Sequence, residues 1–425
     1  MNAIHSIITA LFVIGYLAII FEYYIKVNKT ASALLMAVFT WVFLFFGKST
    51  IEGFFKAEVQ SHIADASQII FFLIGAMTIV ELIDSHNGFK MITNLIAVKS
   101  KRKLLWIIAT ISFFLSAVLD NLTTTIVMIS ILRKLLPEPS DRRLLGATVV
   151  VAANAGGAWT PIGDVTTTML WIKGNVTTLS VMKALFLPSV FSILVTLGLL
   201  GLKLDGKFSI NKKRLNNART EPGAKPVLIL GVLALVFVPI FRYLTNLPPF
   251  FGMFIGLSIL WIVTDAMHHK HESRHHLRIP YVLARIDISG VLFFLGILLA
   301  INALEMTGIL KQLAIFLDVH IGNLAVVATI IGFLSSIIDN VPLVAATIGM
   351  YDLSSYPPDS ALWQMIAYAA GTGGSILLIG SAAGVALMGL EKVDFIWYMK
   401  KISIVALTGY LAGMALYLLL NAIYI

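Results

Sequence analysis

Leu115-Ser116-Ala117-Val118-Leu119-Asp120-Asn121-Leu122 returns in the second half of the chain as Leu334-Ser335-Ser336-Ile337-Ile338-Asp339-Asn340-Val341. Each copy sets a carboxylate and an amide inside strongly apolar sequence. A second pair follows: Asn154-Ala155-Gly156-Gly157-Ala158-Trp159-Thr160-Pro161-Ile162-Gly163-Asp164 reappears loosely as Gly371-Thr372-Gly373-Gly374-Ser375-Ile376-Leu377-Leu378-Ile379-Gly380-Ser381. Matching Gly- and Pro-interrupted apolar segments in two halves are the sequence mark of a transporter binding site. The pattern therefore implies an ion-coupled secondary transporter.

Composition agrees. With 58% hydrophobic and 12% charged residues, and a mean hydropathy of +0.91, the chain is a polytopic membrane protein and not a soluble domain. Apolar stretches of about 20 residues suit helices crossing a bilayer core; a β-barrel would need short alternating segments. The absence of cysteine excludes disulfides and thiolate metal sites. The first 22 residues lack the basic region and cleavage site of a signal peptide and read as the first span. The net charge of +9 is placed as an orientation bias, so no nucleic-acid role is implied.

Full spans are expected near 4–22, 31–47, 66–85, 144–172 and 179–202, then near 227–246, 249–265, 287–306, 361–390 and 395–424. The stretches 104–136 and 323–351 are each divided by Asp-Asn into halves of about 15 residues, short for a span. Each reads as a re-entrant helical hairpin with Asp-Asn at its tip. Irregular backbone at membrane depth is tolerated only where protein or water covers it, which places both tips at an internal site. With both termini extracytoplasmic, 25 of the 31 Lys and Arg fall on the cytoplasmic side. Lys101-Arg102-Lys103 and Arg133-Lys134 flank the first hairpin, so it enters from the cytoplasm. The loop Tyr351 to Ser360 lacks Lys and Arg, so the second enters from outside.

The expected fold is thus all-α: two inverted-topology repeats, 1–202 and 227–425, joined by a cytoplasmic linker at 203–226. Each has five transmembrane helices, one re-entrant hairpin and a broken helix (144–172 and 361–390). Upstream, Phe72-Leu73-Ile74-Gly75 with Glu81 and Asp84 parallels Phe293-Phe294-Leu295-Gly296 with Asn302 and Glu305.

Asp120, Asp164 and Asp339 lie within expected membrane depth. A charge at a helix centre costs on the order of 2.5–3.5 kcal/mol, so these carboxylates must be protonated, hydrated or bound to a cation. A proton/cation exchanger uses all three states. Sodium and lithium favour oxygen ligands, supplied by Asp120, Asn121, Thr123, Thr124 and Thr125 at one tip and by Asn154, Thr160, Asp164, Thr166 and Thr167 along the broken span. Gly156, Gly157, Gly163 and Pro161 would unwind that span and expose carbonyls. In the second half Asp339 and Asn340 face Gly371, Thr372, Gly373, Gly374, Ser375, Gly380 and Ser381. Glu81, Asp84 and Glu305, towards span ends, are candidates for a proton relay.

Plainer roles compete with each reading. Asp120 and Asp339 are suited to capping helices, the glycine pairs to close packing, and Thr123 and Thr125 to bonding back to helix carbonyls. Glu81, Asp84 and Glu305 suit solvated span ends. His268, His269, His271, His275 and His276 suggest a metal tract or a pH sensor, against which stands the simpler reading of a solvated loop.

At the paired Asp-Asn hairpins and Asn154 to Asp164 the chain resembles the ion transporter superfamily, most closely its NhaD-type sodium/proton antiporters. Ser116-Ala-Val-Leu-Asp-Asn-Leu-Thr-Thr-Thr125 looks like the first hairpin of that family, and Asp164-Val-Thr-Thr167 like its broken-helix segment. The resemblance covers nearly the whole chain. It implies a homodimer in the inner (plasma) membrane, with a scaffold and an elevator-like transport domain carrying the hairpins. It also implies Asp120, Asn154, Asp164, Thr166, Thr167 and Asp339 as ion-site residues, with sodium at Asp120, Asn154 and Asp164. No cofactor is implied beyond the transported sodium or lithium and protons. Related sodium/dicarboxylate symporters carry Ser-Asn-Thr at the tips, where this chain has Asp-Asn; an aspartate repels a carboxylate substrate and suits a cation. The alternative is a sodium- or proton-coupled symporter of an anion or organic acid. Neither reading makes the chain an enzyme.

Overall fold

The computed structural model describes residues 3–47, 52–89, 98, 100–202, 204, 206, 221–337 and 339–424. Most of the expected linker 203–226, and Ile338 of the second motif, lie outside the described residues. Among the described residues every regular element is a helix.

We number the principal helices α1 (Ala3–Ile20), α2 (Lys29–Gly47), α3 (Glu52–Ser85), α4 (Lys101–Leu119), α5 (Asn121–Leu135), α6 (Pro139–Ala158), α7 (Val165–Ile172), α8 (Thr178–Leu202) and α9 (Ala224–Thr245). They continue as α10 (Pro249–His268), α11 (Ile288–Met306), α12 (Ile309–Ile321), α13 (Leu324–Leu334), α14 (Asn340–Met350), α15 (Ala361–Gly373), α16 (Ala382–Glu391) and α17 (Ile404–Tyr424). Among the described residues eight helices, the last counted from Phe395, are long and apolar enough to cross a membrane, as a multi-pass membrane protein requires.

The eight include α4, whose 19 residues exceed the roughly 15 expected of a hairpin limb. Residues 144–172 and 361–390 are each divided, into α6 and α7 across 159–164 and into α15 and α16 across 374–381. The helix α12 falls on no expected span. It bends by 120° into α13, and it buries only Leu310 and Ala314 while Leu313, Ile315, Phe316 and Val319 stay exposed.

Packing sorts the helices into two groups. In the first, here called the frame, α2 packs on α1 and α11, α10 packs on α9 and α3, and α3 also meets α11 and α9. Its outer faces keep apolar side chains such as Ile229, Leu233, Ile240, Ile255 and Ile262 exposed, as lipid contact requires. In the second, the core group, α6 packs on α4, α5, α8, α15 and α16, while α13 packs on α15 and α8 on α17. From Leu145 to Ala158 every residue of α6 is buried, and from Leu362 to Gly373 only Gln364 of α15 is not. A helix apolar all round is a central helix. The groups touch where α14 meets α11, α7 meets α3 and α4 meets α9. Among the described residues two ion pairs also cross between them: Lys173 with Asp65 of α3, and Lys29 of α2 with Asp339.

Glycine lets the core backbones approach one another. A Cβ on Gly156 would stand 2.1 Å from the Phe113 carbonyl oxygen, and one on Gly373 would stand 2.1 Å from that of Gly332. A Cβ on Gly163 would meet the Ser116 carbonyl oxygen at 2.8 Å, and one on Gly380 the Ser335 oxygen at 2.6 Å. Hydroxyls fasten the same crossings: Ser116 Oγ donates to the Ala153 carbonyl at 2.6 Å, and Ser335 Oγ to that of Ala370 at 2.9 Å.

Candidate ion site

Four helix N-termini converge at the centre of the core group, each capped by a short polar side chain. Asp120 caps α5, accepting from the Thr123 backbone N–H at 2.8 Å while Thr123 Oγ1 donates to its second oxygen at 2.8 Å. Asp164 caps α7 through the Thr166 N–H at 3.2 Å, Asp339 caps α14 through the Val341 N–H at 3.3 Å, and Ser381 caps α16 through the Gly384 N–H at 3.3 Å. Helix N-termini carry partial positive charge. Three of these four ends are occupied by carboxylates of the chain itself.

Between the caps runs one buried hydrogen-bond network. Asn121, first residue of α5, donates its amide to Asn154 Oδ1 at 2.8 Å and to Asp164 Oδ2 at 3.1 Å. Asn340, first residue of α14, donates to the same Asp164 oxygen at 3.4 Å, and Asn154 donates to Ser381 Oγ at 2.9 Å. Asp164 is 1% exposed and Asn154 fully buried. No basic side chain hydrogen-bonds to Asp164 among the described residues, and both Asp120 and Asp339 lie within Coulomb range of it. The ring thus offers a concentrated negative charge with amide and hydroxyl oxygens around it, a donor set suited to a hard monovalent cation or a proton. Among the described residues no group of three or more His, Asp or Glu is placed to hold a metal ion of the usual resident kind.

Asp120 adopts φ 81° and ψ 160°, a left-handed-side conformation unusual for a residue with a side chain. It lines a cavity of about 70 Å³ between the core group and the frame, together with Thr123, Phe72 and Met77 of α3, and Asp287 and Phe294 at α11. Two or so waters fit such a volume.

The network brings together Asn121, Asn154, Asp164 and Asn340 among the expected site residues, with Asp120 and Asp339 at its edges. Thr160 and Thr167 stand beside it, but their hydroxyls donate to the Ala117 and Ala158 carbonyls at 2.7 and 3.3 Å. Thr166 places a buried hydroxyl beside Asp164, and the buried hydroxyls of Thr124 and Thr125 have no hydrogen-bond partner among the described residues. Thr124 and Thr125 lie one turn beyond Asn121, on its face of α5. Gly156, Gly157, Gly163, Gly373 and Gly374 sit at the backbone crossings; a Cβ on Gly157 or Gly374 would meet the Gly163 or Gly380 carbonyl oxygen at 2.3 or 2.9 Å.

The expected relay residues lie outside the network. Glu81 is half-buried near the end of α3, accepting from Ser85 at 3.4 Å within Coulomb range of Arg285, and Asp84 is exposed. Glu305 leans on Gly349, about 14 Å along α14 from Asn340. His268 departs from the solvated-loop reading: it ends α10 buried at 1% exposure, with its Nε2 3.1 Å from His86 Nε2. Lys29 is not among the expected site residues, and Ser381, expected only to face Asp339 and Asn340, bonds instead to Asn154. Ser381 carried one signal, its alignment with Asp164; Lys29 resembled any cytoplasmic flanking charge.

A family model described as a citrate transporter matches residues 16–365. The chain is 54% identical over 416 residues to sodium/proton antiporter 1 of Arabidopsis thaliana, covering 97% of this chain and 72% of that protein. It is 52% identical over 412 residues to sodium/proton antiporter 2 of the same plant, covering 96% and 98%. Against the Na(+)/H(+) antiporter NhaD of Vibrio cholerae it is 28% identical over 446 residues, covering 97% and 91%. By its match to that model and these end-to-end likenesses, the chain belongs to the citrate transporter family and, within it, to the NhaD-type sodium/proton antiporters.

Proposed function

We propose that this protein exchanges sodium or lithium for protons, with the ions competing for the buried aspartates, Asp164 foremost. The observation that carries the reading is Asp164: fully enclosed, hydrogen-bonded to no basic side chain among the described residues, and accepting from the amides of Asn121 and Asn340, the first of which also reaches Asn154. A buried carboxylate without a counter-charge is stable only when protonated or cation-bound. One site that must hold either ion, and cannot hold both, couples their fluxes. Rotation of the amides would turn carbonyl oxygens to the cation, and the hydroxyls of Thr124 and Thr166 supply further oxygens.

The frame and the core group are the natural parts of an elevator-like motion, in which the core group slides and carries the four convergent caps across the bilayer. The inverted repeat has support in matched packing: α1 with α2 answers α9 with α10, α4 with α6 answers α13 with α15, and α5 with α16 answers α14 with α7. On this reading α4–α5 and α13–α14 are hairpins meeting tip to tip, and the protein works as a homodimer in the inner membrane with extracytoplasmic termini.

The second reading, symport of an anion or organic acid, draws on the citrate named in the family model. Against it, three of the four helix N-termini that would greet a carboxylate are already filled by Asp120, Asp164 and Asp339. The test is reconstitution in proteoliposomes with an imposed pH gradient and an internal pH dye. Dissipation on adding sodium or lithium, absent in Asp164→Asn, supports exchange; silence with sodium, lithium and potassium, alongside citrate- or succinate-driven uptake, moves the assignment to symport.

A further inference from the structure

The two cross-group ion pairs differ in what they touch. Lys173 and Asp65 join surfaces remote from the network, whereas Lys29 reaches an aspartate at its edge. Its Nζ lies 3.8 Å from Asp339 Oδ2 and 4.5 Å from the centre of the Phe293 ring, a placement that adds cation–π attraction. The lysine is held by the frame. Its backbone N–H donates to Glu22 Oε1 at 3.1 Å, and the next residue, Thr30, bonds through Oγ1 to both the carbonyl and the hydroxyl of Ser289 at 2.9 Å. Asp339 caps α14, which packs on α7 and on α15 of the core group as well as on α11 of the frame. A unit positive charge fixed on the frame therefore neutralises a site carboxylate where the two groups meet.

We propose that Lys29 sets ion affinity as a tethered counter-ion: its ammonium occupies Asp339 in this arrangement, and the transported cation must displace it before the tip can leave the frame. The proposal rests on the exchange reading above. It makes Lys29 a positioning residue that opposes cation binding, and this separates it from a simple structural tie. Removing a tie weakens the protein or slows it. Removing a competitor tightens binding.

The chain contains no cysteine, so Lys29→Cys creates a single modifiable thiol. The purified variant is treated in detergent with an aminoethyl methanethiosulfonate, which restores a positive charge, or with methyl methanethiosulfonate, which does not, and is then reconstituted. Half-saturating sodium in Lys29→Cys should fall about three- to fivefold. The aminoethyl adduct should return it to the wild-type value and the methyl adduct should leave it low; Lys29→Gln should shift in the same direction as the untreated thiol. An unchanged or raised half-saturation in both variants, or identical behaviour of the two adducts, overturns the proposal. Wild-type protein silent to sodium would instead overturn the exchange reading itself.

Discussion

The two crossings of the core group share a backbone and differ in chemistry. At the first, Ser116 fastens to Ala153 and Gly156 lies against Phe113; at the second, Ser335 fastens to Ala370 and Gly373 lies against Gly332, at matching distances. Yet the first carries Asn154 and Asp164 where the second carries Gly371 and Ser381. The geometry explains why both cannot carry the same set. A Cβ on Gly371 would stand 2.9 Å from the Ala158 Cβ and 3.6 Å from Asp164 Oδ2. An asparagine there would push into the first half's carboxylate. The second half keeps the frame of the site and gives up its side chains, lending only Asn340 to Asp164 and Ser381 to Asn154.

The shared backbone should make the two halves equally fragile. Gly156→Ala and Gly373→Ala each force a methyl into a carbonyl oxygen, costing about 3 kcal/mol or more. Thermal unfolding of the detergent-solubilised proteins should show matched, large losses; a well-folded Gly373→Ala beside an unfolded Gly156→Ala would break the equivalence. The divergent chemistry should make the halves unequal in transport. Asp164→Asn removes the charge accepting two amide bonds and should lower exchange at least about 100-fold while leaving folding intact. Wild-type flux in that variant would remove Asp164 from the site.

Gly371→Ala tests the crowding directly. It should cost about 1–2 kcal/mol of stability and reduce sodium-dependent flux; an unchanged melting temperature would show that the second crossing has room to spare. The smallest effect belongs to Ser381→Ala, which leaves the Asn154 amide short of one partner and should raise half-saturating sodium roughly fivefold. A loss as complete as that of Asp164→Asn would make the serine an equal member of the site.

Much of the candidate site is legible in the sequence because charge in apolar sequence is conspicuous. Asp120, Asn154 and Asp164 announce themselves by the cost of placing them there, and the broken segments by Gly and Pro. Contacts between distant ordinary residues are another matter. The repeat points to Ser381 by its alignment with Asp164 but not to its bond with Asn154, and nothing local distinguishes Lys29 from other flanking lysines; their partners are set by tertiary packing. Helix α12 was missed because Lys311 and Asp318 interrupt a stretch of only 13 residues, which hydropathy averages away. Glu81, Asp84 and Glu305 lie towards helix ends and flanks, where their position in the spans puts them, and outside the network. His268 sat in a His-rich run that looked wet, while the fold turned this one residue inward against His86.

The bond from Asn154 to Ser381 and the bond from Asp164 to Asn340 also bear on how the protein is made. When the ribosome has finished the first half, Asn121 can already reach both its amide and its carboxylate, but the partners Ser381 and Asn340 have not been translated. Incompletely bonded polar groups are poorly tolerated in lipid, so the expected outcome is that the first half reaches its final arrangement only with the second. Halves cut within 207–220 and expressed singly should be degraded, and co-expression should rescue both; a first half that accumulates alone in protease-resistant form would show that its polar centre can close without the second.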